Sequence, residues 1–413
     1  MAREENFVGL DIGSSAIRIV VGQKSYPEQK LHMIGAGEVE SQGINKGVIT
    51  SVEEASNSIK KCIEKVERMI GFSLEDAWVG ISGTHIFSQE THGVVAVSRP
   101  DGEISQDDVE RAIEAARTVS TPPNQEILHV IPKNFTVDGQ KGIKDPVGMT
   151  GVRLEVDASI IYGLSSQIKN LTKCIYSTGI DIADLVFGIL ATSEAILTQR
   201  QKELGVVVLN IGASTTSLAV FEEGDLLHTA VIPLGGDHIT SDIAIGLRIS
   251  IDLAEKIKLE CGSALSSKIA KKEEINLADF TSQESEIVSR RYVAEIIEAR
   301  LEEIFEKVDK ELKKIDRSGL LPAGVILVGG TAKIPEIIEL TKKKLRLPTS
   351  LGYPHSFVTV IDKVNDLSFS TAVGLAFWGE QVSRGVKGRF IPRFRTIKEV
   401  TEKLKGWFKS LMP

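Results

Sequence analysis

Two short segments of the chain carry glycine, small hydroxyl residues and one acidic or amide residue in the same order. Residues 7–21 read FVGLDIGSSAIRIVV and residues 206–220 read VVVLNIGASTTSLAV. Aligned with a shift of 199, Leu10/Leu209, Ile12/Ile211, Gly13/Gly212, Ser15/Ser214 and Val21/Val220 are identical. Each copy reads as an apolar strand, a tight turn and a second β-rich strand. Glycine in such a turn lets the backbone approach a phosphate closely. Successive N–H groups flanked by Ser/Thr hydroxyls form an anion nest. The candidate contacts are Gly13, Ser14 and Ser15 in the first copy and Gly212, Ala213, Ser214 and Thr215 in the second. Asp11 ends the first strand and suits Mg²⁺ held through water, since that ion keeps several of its waters. Asn210 occupies the matching place in the second copy. One copy alone reads more readily as an ordinary β-turn. Two aligned copies, one in each half, read as a pair gripping one phosphate chain from opposite sides.

Three further stretches fit a nucleotide. Val325–Val328 is a buried-type strand followed by Gly329, Gly330, Thr331 and Lys333, with a helix expected to begin near Pro335. Strand, paired glycines, then helix leaves room for a flat adenosine against backbone. In PLGGDHIT (233–240), Gly235 and Gly236 precede a helix whose amino end would face phosphate. Glu255 and Lys258, three apart on a helix, share a face and would flank adenine and ribose; a plain surface ion pair is the alternative.

The elements that position these residues follow from the chain as a whole. Its 413 residues suffice for two to four domains, and 42% hydrophobic with 25% charged residues is the balance of a globular protein. No apolar run is long enough to span a bilayer, and MAREENF is no signal peptide. Cys62, Cys174 and Cys261 are isolated, offering neither a disulfide framework nor a metal spacing, which points to a reduced cytoplasmic setting. The net charge of −7 is uneven: residues 384–413 hold nine Lys/Arg against two Asp/Glu, so an acidic body ends in a basic tail that suits an anionic surface.

LDIGSS, LNIGAS and LVGGTAKIP together resemble the phosphate-1, phosphate-2 and adenosine motifs of the actin/Hsp70/hexokinase superfamily, in its order. The resemblance implies an α/β, two-lobed actin-like ATPase fold closing over ATP and Mg²⁺. It also implies two interlobe helices, near Thr192–Ala195 and at SFSTAVGLAFWG (368–379), and gives Arg18 the place of a phosphate-contacting lysine. Residues 80–165 read as an inserted α+β subdomain of the order β, α, β–β. GISGTHI, ILHVIPKNFTVDGQKGIKDPVGMTGVRLE and IPLGGDHITSDIAIGL resemble the FtsA family of bacterial division proteins over nearly the whole chain. The expected organisation is a first lobe of 1–79, continued by 166–195 and 366–383, with the insert at 80–165. A second lobe of 196–244, continued by 316–365, carries a helical subdomain at 245–315. A basic linker, 384–395, and a membrane-targeting helix, 396–413, follow. That family resemblance implies the FtsZ C-terminal tail as partner of the helical subdomain, where Arg290, Arg291 and Arg300 are candidates for meeting an acidic peptide. It also implies self-association into filaments, other division partners and a place at the division site on the cytoplasmic side of the membrane, with no nucleic-acid partner.

The terminal segment TIKEVTEKLKGWFKSLM (396–412) supports a membrane role from its own pattern. Ile397, Val400, Leu404, Trp407, Phe408 and Leu411 fall on one helical face. Lys403, Lys405 and Lys409, with Lys398, lie largely beside that stripe, so rings can enter the acyl boundary while ammonium groups meet anionic headgroups. The alternative is a terminal helix docked on its own protein.

Hydrolysis is expected to be slow or absent. The superfamily usually has Asp where this chain has Asn210, and an amide orients water without accepting its proton. Glu194 and Asp237 are the remaining carboxylate candidates, and no catalytic residue is firm. Walker A, GxSxG, HExxH and CxxC strings are absent. Two rivals remain: a PilM-like cytoplasmic scaffold of a type IV pilus, which needs no membrane helix, and a sugar kinase, which needs a catalytic Asp in a substrate cleft.

Overall fold

The apolar strands Glu4–Ile12 and Val206–Ile211 each form the centre of a sheet in the computed structural model, which describes residues 4–25, 30–118, 123–281 and 286–383. Phe7 to Leu10 in the first and Val206 to Leu209 in the second are buried, so both faces are covered, as central strands of helix-flanked sheets require. The first sheet has six strands in the order 181–187, 76–81, 4–12, 16–25, 31–40 and 357–359. The second has five, in the order 349–351, 324–328, 206–211, 216–222 and 225–232. In both, the central strand pairs antiparallel with the next strand of the chain and parallel with a later one.

The repeat extends to register. Asp11 lies opposite Arg18 and Ile12 opposite Ile17; Asn210 lies opposite Ser217 and Ile211 opposite Thr216. Both turns close with the same bond, Gly13 N–H to Ala16 carbonyl at 3.1 Å and Gly212 N–H to Thr215 carbonyl at 2.9 Å.

Two helices join the lobes. Gly188–Ile196 and Ser370–Ser383 are apolar nearly all round, as buried helices are. They cross closely at Gly374, where an added Cβ would lie 2.0 Å from the Ala191 carbonyl oxygen.

The segment 86–164 forms a separate antiparallel sheet in the order 86–96, 153–164, 125–137, 140–143, with helix Gln106–Thr118 packed on it. Ile104, Val109, Ala112, Val130, Leu154, Val156 and Ile160 belong to its own small core. Asp108 anchors the start of that helix. Its buried carboxylate accepts from the Ser98 N–H at 3.1 Å and hydroxyl at 2.8 Å, and from the Ser105 N–H at 2.9 Å and hydroxyl at 2.6 Å; Arg111 completes the set. The serine hydrogen bonds, Ser105 foremost, hold the Asp108 carboxyl well below the usual carboxylate range against the opposing effect of burial. A depressed folded pKa contributes stability that is full above the ordinary carboxylate range and lost as pH falls through the folded value. Asp108→Ala leaves buried donors unpaired and is expected to cost about 3 kcal/mol. Thermal unfolding of wild type and variant at pH 7 measures the loss, and the gap should narrow only in strong acid.

The second lobe carries helices Gly236–Leu247, Ile251–Cys261 and Arg290–Lys314. The last buries Val293, Ile297, Leu301, Ile304, Val308 and Leu312 at helical spacing. A small hairpin, Glu274–Asn276 with Ile287–Ser289, interrupts the helices and has no helical or strand periodicity long enough to signal it. The basic linker and the terminal amphipathic segment, including Ile397, Val400, Lys403, Leu404, Lys405, Trp407, Phe408, Lys409 and Leu411, lie outside the described residues.

Candidate nucleotide site

The two glycine turns open into one cavity of about 490 Å³, within the range of small-molecule sites. Asp11, Gly13, Ser14, Ser15 and Arg18 line it from the first lobe; Asn210, Gly212, Ala213, Ser214 and Thr215 line it from the second. Gly236, Asp237, Glu255, Lys258, Gly329, Gly330, Thr331 and Lys333 complete the second-lobe wall. Gly13 and Gly212 therefore face each other across a common space, as two clamps on one anion would.

Local folding accounts for each wall. Asp11 is half-buried on the central strand, and desolvation there raises its pKa to about 6, with Arg18 pulling the other way. Arg18 is itself held by Glu38, Nε to Oε2 at 2.9 Å, and its guanidinium lies 5.6 Å from the centre of the Phe369 ring. Lys258 Nζ is buried and donates to the Gly236 carbonyl at 3.2 Å and the Thr240 hydroxyl at 2.8 Å, with Glu255 Oε2 at 2.6 Å. The pair is thus fixed at the cavity wall. Lys333 Nζ meets Asp366 Oδ2 at 2.5 Å, and both residues line the cavity. The Ser214 hydroxyl donates to Asp237 Oδ2 at 2.7 Å, leaving that carboxylate beside the second turn as an acceptor for water.

Three expectations need correction. The amino end of helix Gly236–Leu247 does not offer free N–H groups to a phosphate. Gly236 N–H donates to the Gly212 carbonyl at 2.9 Å, Asp237 N–H to the Ala213 carbonyl at 2.7 Å, and Gly235 N–H to His238 Nδ1 at 3.2 Å. That helix end braces the second turn, and Thr331 adds a hydroxyl bond to the same Gly212 carbonyl at 2.9 Å. Gly235 supports the turn from behind and is not among the cavity's lining residues. Glu194 is also elsewhere: its carboxylate takes the Lys202 ammonium at 2.6 Å, turned toward the short helix Gln199–Leu204. Finally, the helix expected near Pro335 begins at Ile337, after a 3₁₀ turn over Gly330–Lys333.

Sequence reading missed Gly47, Ser82, Phe369 and Thr371, which also line the cavity. Ser82 was legible in retrospect. Gly80 pairs with Asp11 as Val328 pairs with Asn210, so the residues after Gly80 mirror the Gly329-Gly330 corner.

The residues present fit a magnesium nucleotide. Two nests for phosphate, a half-buried carboxylate for a hydrated cation and a fixed Lys/Glu pair for a polar base or sugar meet in one space. A raised pKa favours the neutral acid, so the cost of charging Asp11 in this pocket builds from its ordinary range near 3.8 and is full above about pH 6. Asp11→Asn should therefore raise the melting temperature of the nucleotide-free protein at pH 7.5 and raise it less at pH 5. Differential scanning calorimetry at the two pH values checks the sign.

Comparison with known proteins agrees with this geometry. The family model "Cell division protein FtsA" matches residues 207–374, and "SHS2 domain inserted in FTSA" matches residues 83–162. The chain is 36% identical to cell division protein FtsA of Pseudomonas aeruginosa over 408 residues, covering 98% of this chain and 97% of that one. It is 40% identical to FtsA of Bacillus subtilis, covering 95% and 87%. Among solved structures, a chain of a PilM–PilN type IV pilus biogenesis complex superposes with a TM-score of 0.66 at 17% identity, covering 90% of this chain and 98% of that chain. MreB5 of Spiroplasma citri bound to ADP gives 0.54 at 14% identity, covering 93% and 99%. The structural neighbours give the actin-like fold, and the sequence relatives decide among its branches. With the twin turns, the insert between them and near full-length identity to curated relatives, the chain belongs to the FtsA family of cell division proteins.

Proposed function

We propose that the chain binds ATP with Mg²⁺ between its lobes, self-associates, and tethers the FtsZ ring to the cytoplasmic membrane at the division site. The observation that carries the nucleotide half is the single cavity shared by the two equivalent turns. In that site Asp11 would hold the hydrated cation, which neutralises phosphate charge when bound. Gly13–Ser15 and Gly212–Thr215 would orient the polyphosphate. Glu255 and Lys258 would meet the ribose end, with Gly329, Gly330 and Lys333 beside the base.

Asn210 cannot take a proton, and Asp237, which accepts from Ser214 beside the second turn, would be the carboxylate to hold water. Turnover should stay well below the ~10 s⁻¹ typical of enzymes. Phosphate release from purified protein, unchanged by a panel of sugars, would also dispose of the kinase rival.

The membrane half rests on the terminal sequence, whose apolar face and lysines suit an anionic leaflet. Many copies in a filament would sum weak contacts into firm attachment. The FtsZ tail is assigned to the helical subdomain by family. Its surface there exposes Ile245, Ile251 and Tyr292, an apolar foothold for a short peptide. Arg290, Arg291 and Arg300 already pair with Glu273, Glu295 and Asp242, so an acidic partner would have to compete with those bonds.

Co-sedimentation with anionic vesicles tests the tether. Full-length protein should pellet, and protein lacking residues 396–413 should lose at least tenfold in bound fraction while keeping ATP affinity. If neither protein pellets, the result favours a soluble scaffold of the PilM kind; equal pelleting of both would move the membrane contact off the tail.

A further inference from the structure

A line of hydroxyls runs from the nucleotide cavity into the crossing of the two interlobe helices. Asn210 Nδ2 lies 3.2 Å from Thr371 Oγ1. Thr371 Oγ1 lies 2.9 Å from Thr192 Oγ1, and Thr192 Oγ1 donates to the Gly188 carbonyl at 2.8 Å. Thr192 is fully buried and Thr371 nearly so.

Counting protons gives the chain a direction. A threonine hydroxyl has one hydrogen to donate. Thr192 spends its own on Gly188, so Thr371 must donate to Thr192 and accept from Asn210. The Asn210 amide is thereby fixed, nitrogen toward Thr371 and Oδ1 against the backbone of Gly329, where an added Cβ would sit 2.5 Å from it. Asn210 and Thr371 both line the cavity, whereas Thr192 belongs to the other interlobe helix. An aspartate at 210 cannot donate, so Thr371 would have to turn its proton round and leave Thr192 bound to a single partner of the two.

We propose that this Asn210–Thr371–Thr192 relay makes Thr371 a positioning residue that couples the terminal phosphate of a bound nucleotide to the crossing of the interlobe helices. The proposal rests on the nucleotide reading of the cavity. A ligand group that engages the Asn210 amide pulls on Thr371, and through it on the point where the helices cross. A nucleotide lacking the terminal phosphate leaves the relay undisturbed. The relay also supplies a reason for Asn at this turn: its amide nitrogen carries two hydrogens, one for Thr371 and a second for a phosphate oxygen, whereas a carboxylate has neither.

The test compares ATP and ADP affinities of the full-length chain by calorimetry for wild type, Thr371→Val, Thr371→Ser and Asn210→Asp. Thr371→Val is nearly isosteric and removes only the hydroxyl; Thr371→Ser restores it. The expected result is a preference between ATP and ADP in wild type that falls at least about fivefold in Thr371→Val and Asn210→Asp and is kept in Thr371→Ser. Melting curves without nucleotide separate misfolding from lost coupling, since a misfolded variant would lose both affinities together. A Thr371→Val protein that binds both nucleotides with the wild-type ratio overturns the relay while leaving the site intact. A wild type that binds neither nucleotide overturns the reading of the cavity and the relay with it.

Discussion

Gly329→Ala should weaken ATP binding about a hundredfold and lower the melting temperature, while the neighbouring Gly330→Ala leaves the melting temperature unchanged. Gly329 has φ +90° and ψ 167°, a region that residues with a Cβ scarcely enter. A Cβ there would also meet Asn210 Oδ1 and the Ile211 carbonyl oxygen, each at 2.5 Å. One of those is backbone of the central strand and cannot swing away. Backbone strain of ~1–3 kcal/mol and a displaced Asn210 act together on the corner where the second turn meets the cavity. At Gly330 an added Cβ meets no protein atom within 4 Å, so folding should not register it. Fluorescent-nucleotide titration with melting curves for both variants reads the contrast. Equal melting temperatures for the two would mean that the Gly329 corner relaxes freely.

The second large effect is expected at the helix crossing. Gly374→Ala should cost about 3 kcal/mol of stability, at the upper end of ordinary overpacking. The new methyl would lie 2.0 Å from the Ala191 carbonyl oxygen, 2.4 Å from its carbon and 2.9 Å from the Thr192 nitrogen. All three are backbone of the other interlobe helix, so relief requires the helices to separate. The same separation would stretch the contact between Thr192 and Thr371, so ATP affinity should fall as well. Chemical denaturation gives the stability change, and a loss below 1 kcal/mol would show that the crossing is loose.

The division of labour between sequence and structure is visible in particular residues. The twin turns were legible because phosphate nests need local runs of glycine and hydroxyls, and because repetition filters out ordinary turns. The 199-residue shift even carries through to strand register. The close crossing at Ser370–Ser383 depends on small residues of that helix, Gly374 above all, because only a narrow helix face permits it. Thr371 was not legible as a site residue, since its partners Asn210 and Thr192 are distant in the chain and a threonine in a helix has no motif. The braced amino end of Gly236–Leu247 was misread for a related reason: composition shows donors but not which carbonyls fold back to meet them. Glu194 went astray because a helix position specifies a face only once the neighbouring helix is placed, and Lys202 lies on that neighbour.

The most direct measurement is a crystal structure of the full-length chain with Mg²⁺ and a slowly hydrolysed ATP analogue. The phosphates should lie between Gly13–Ser15 and Gly212–Thr215, with the cation on the Asp11 side and the base beside Gly330. Nucleotide bound at any other surface, or contacting one turn and leaving the other free, would contradict the two-clamp site.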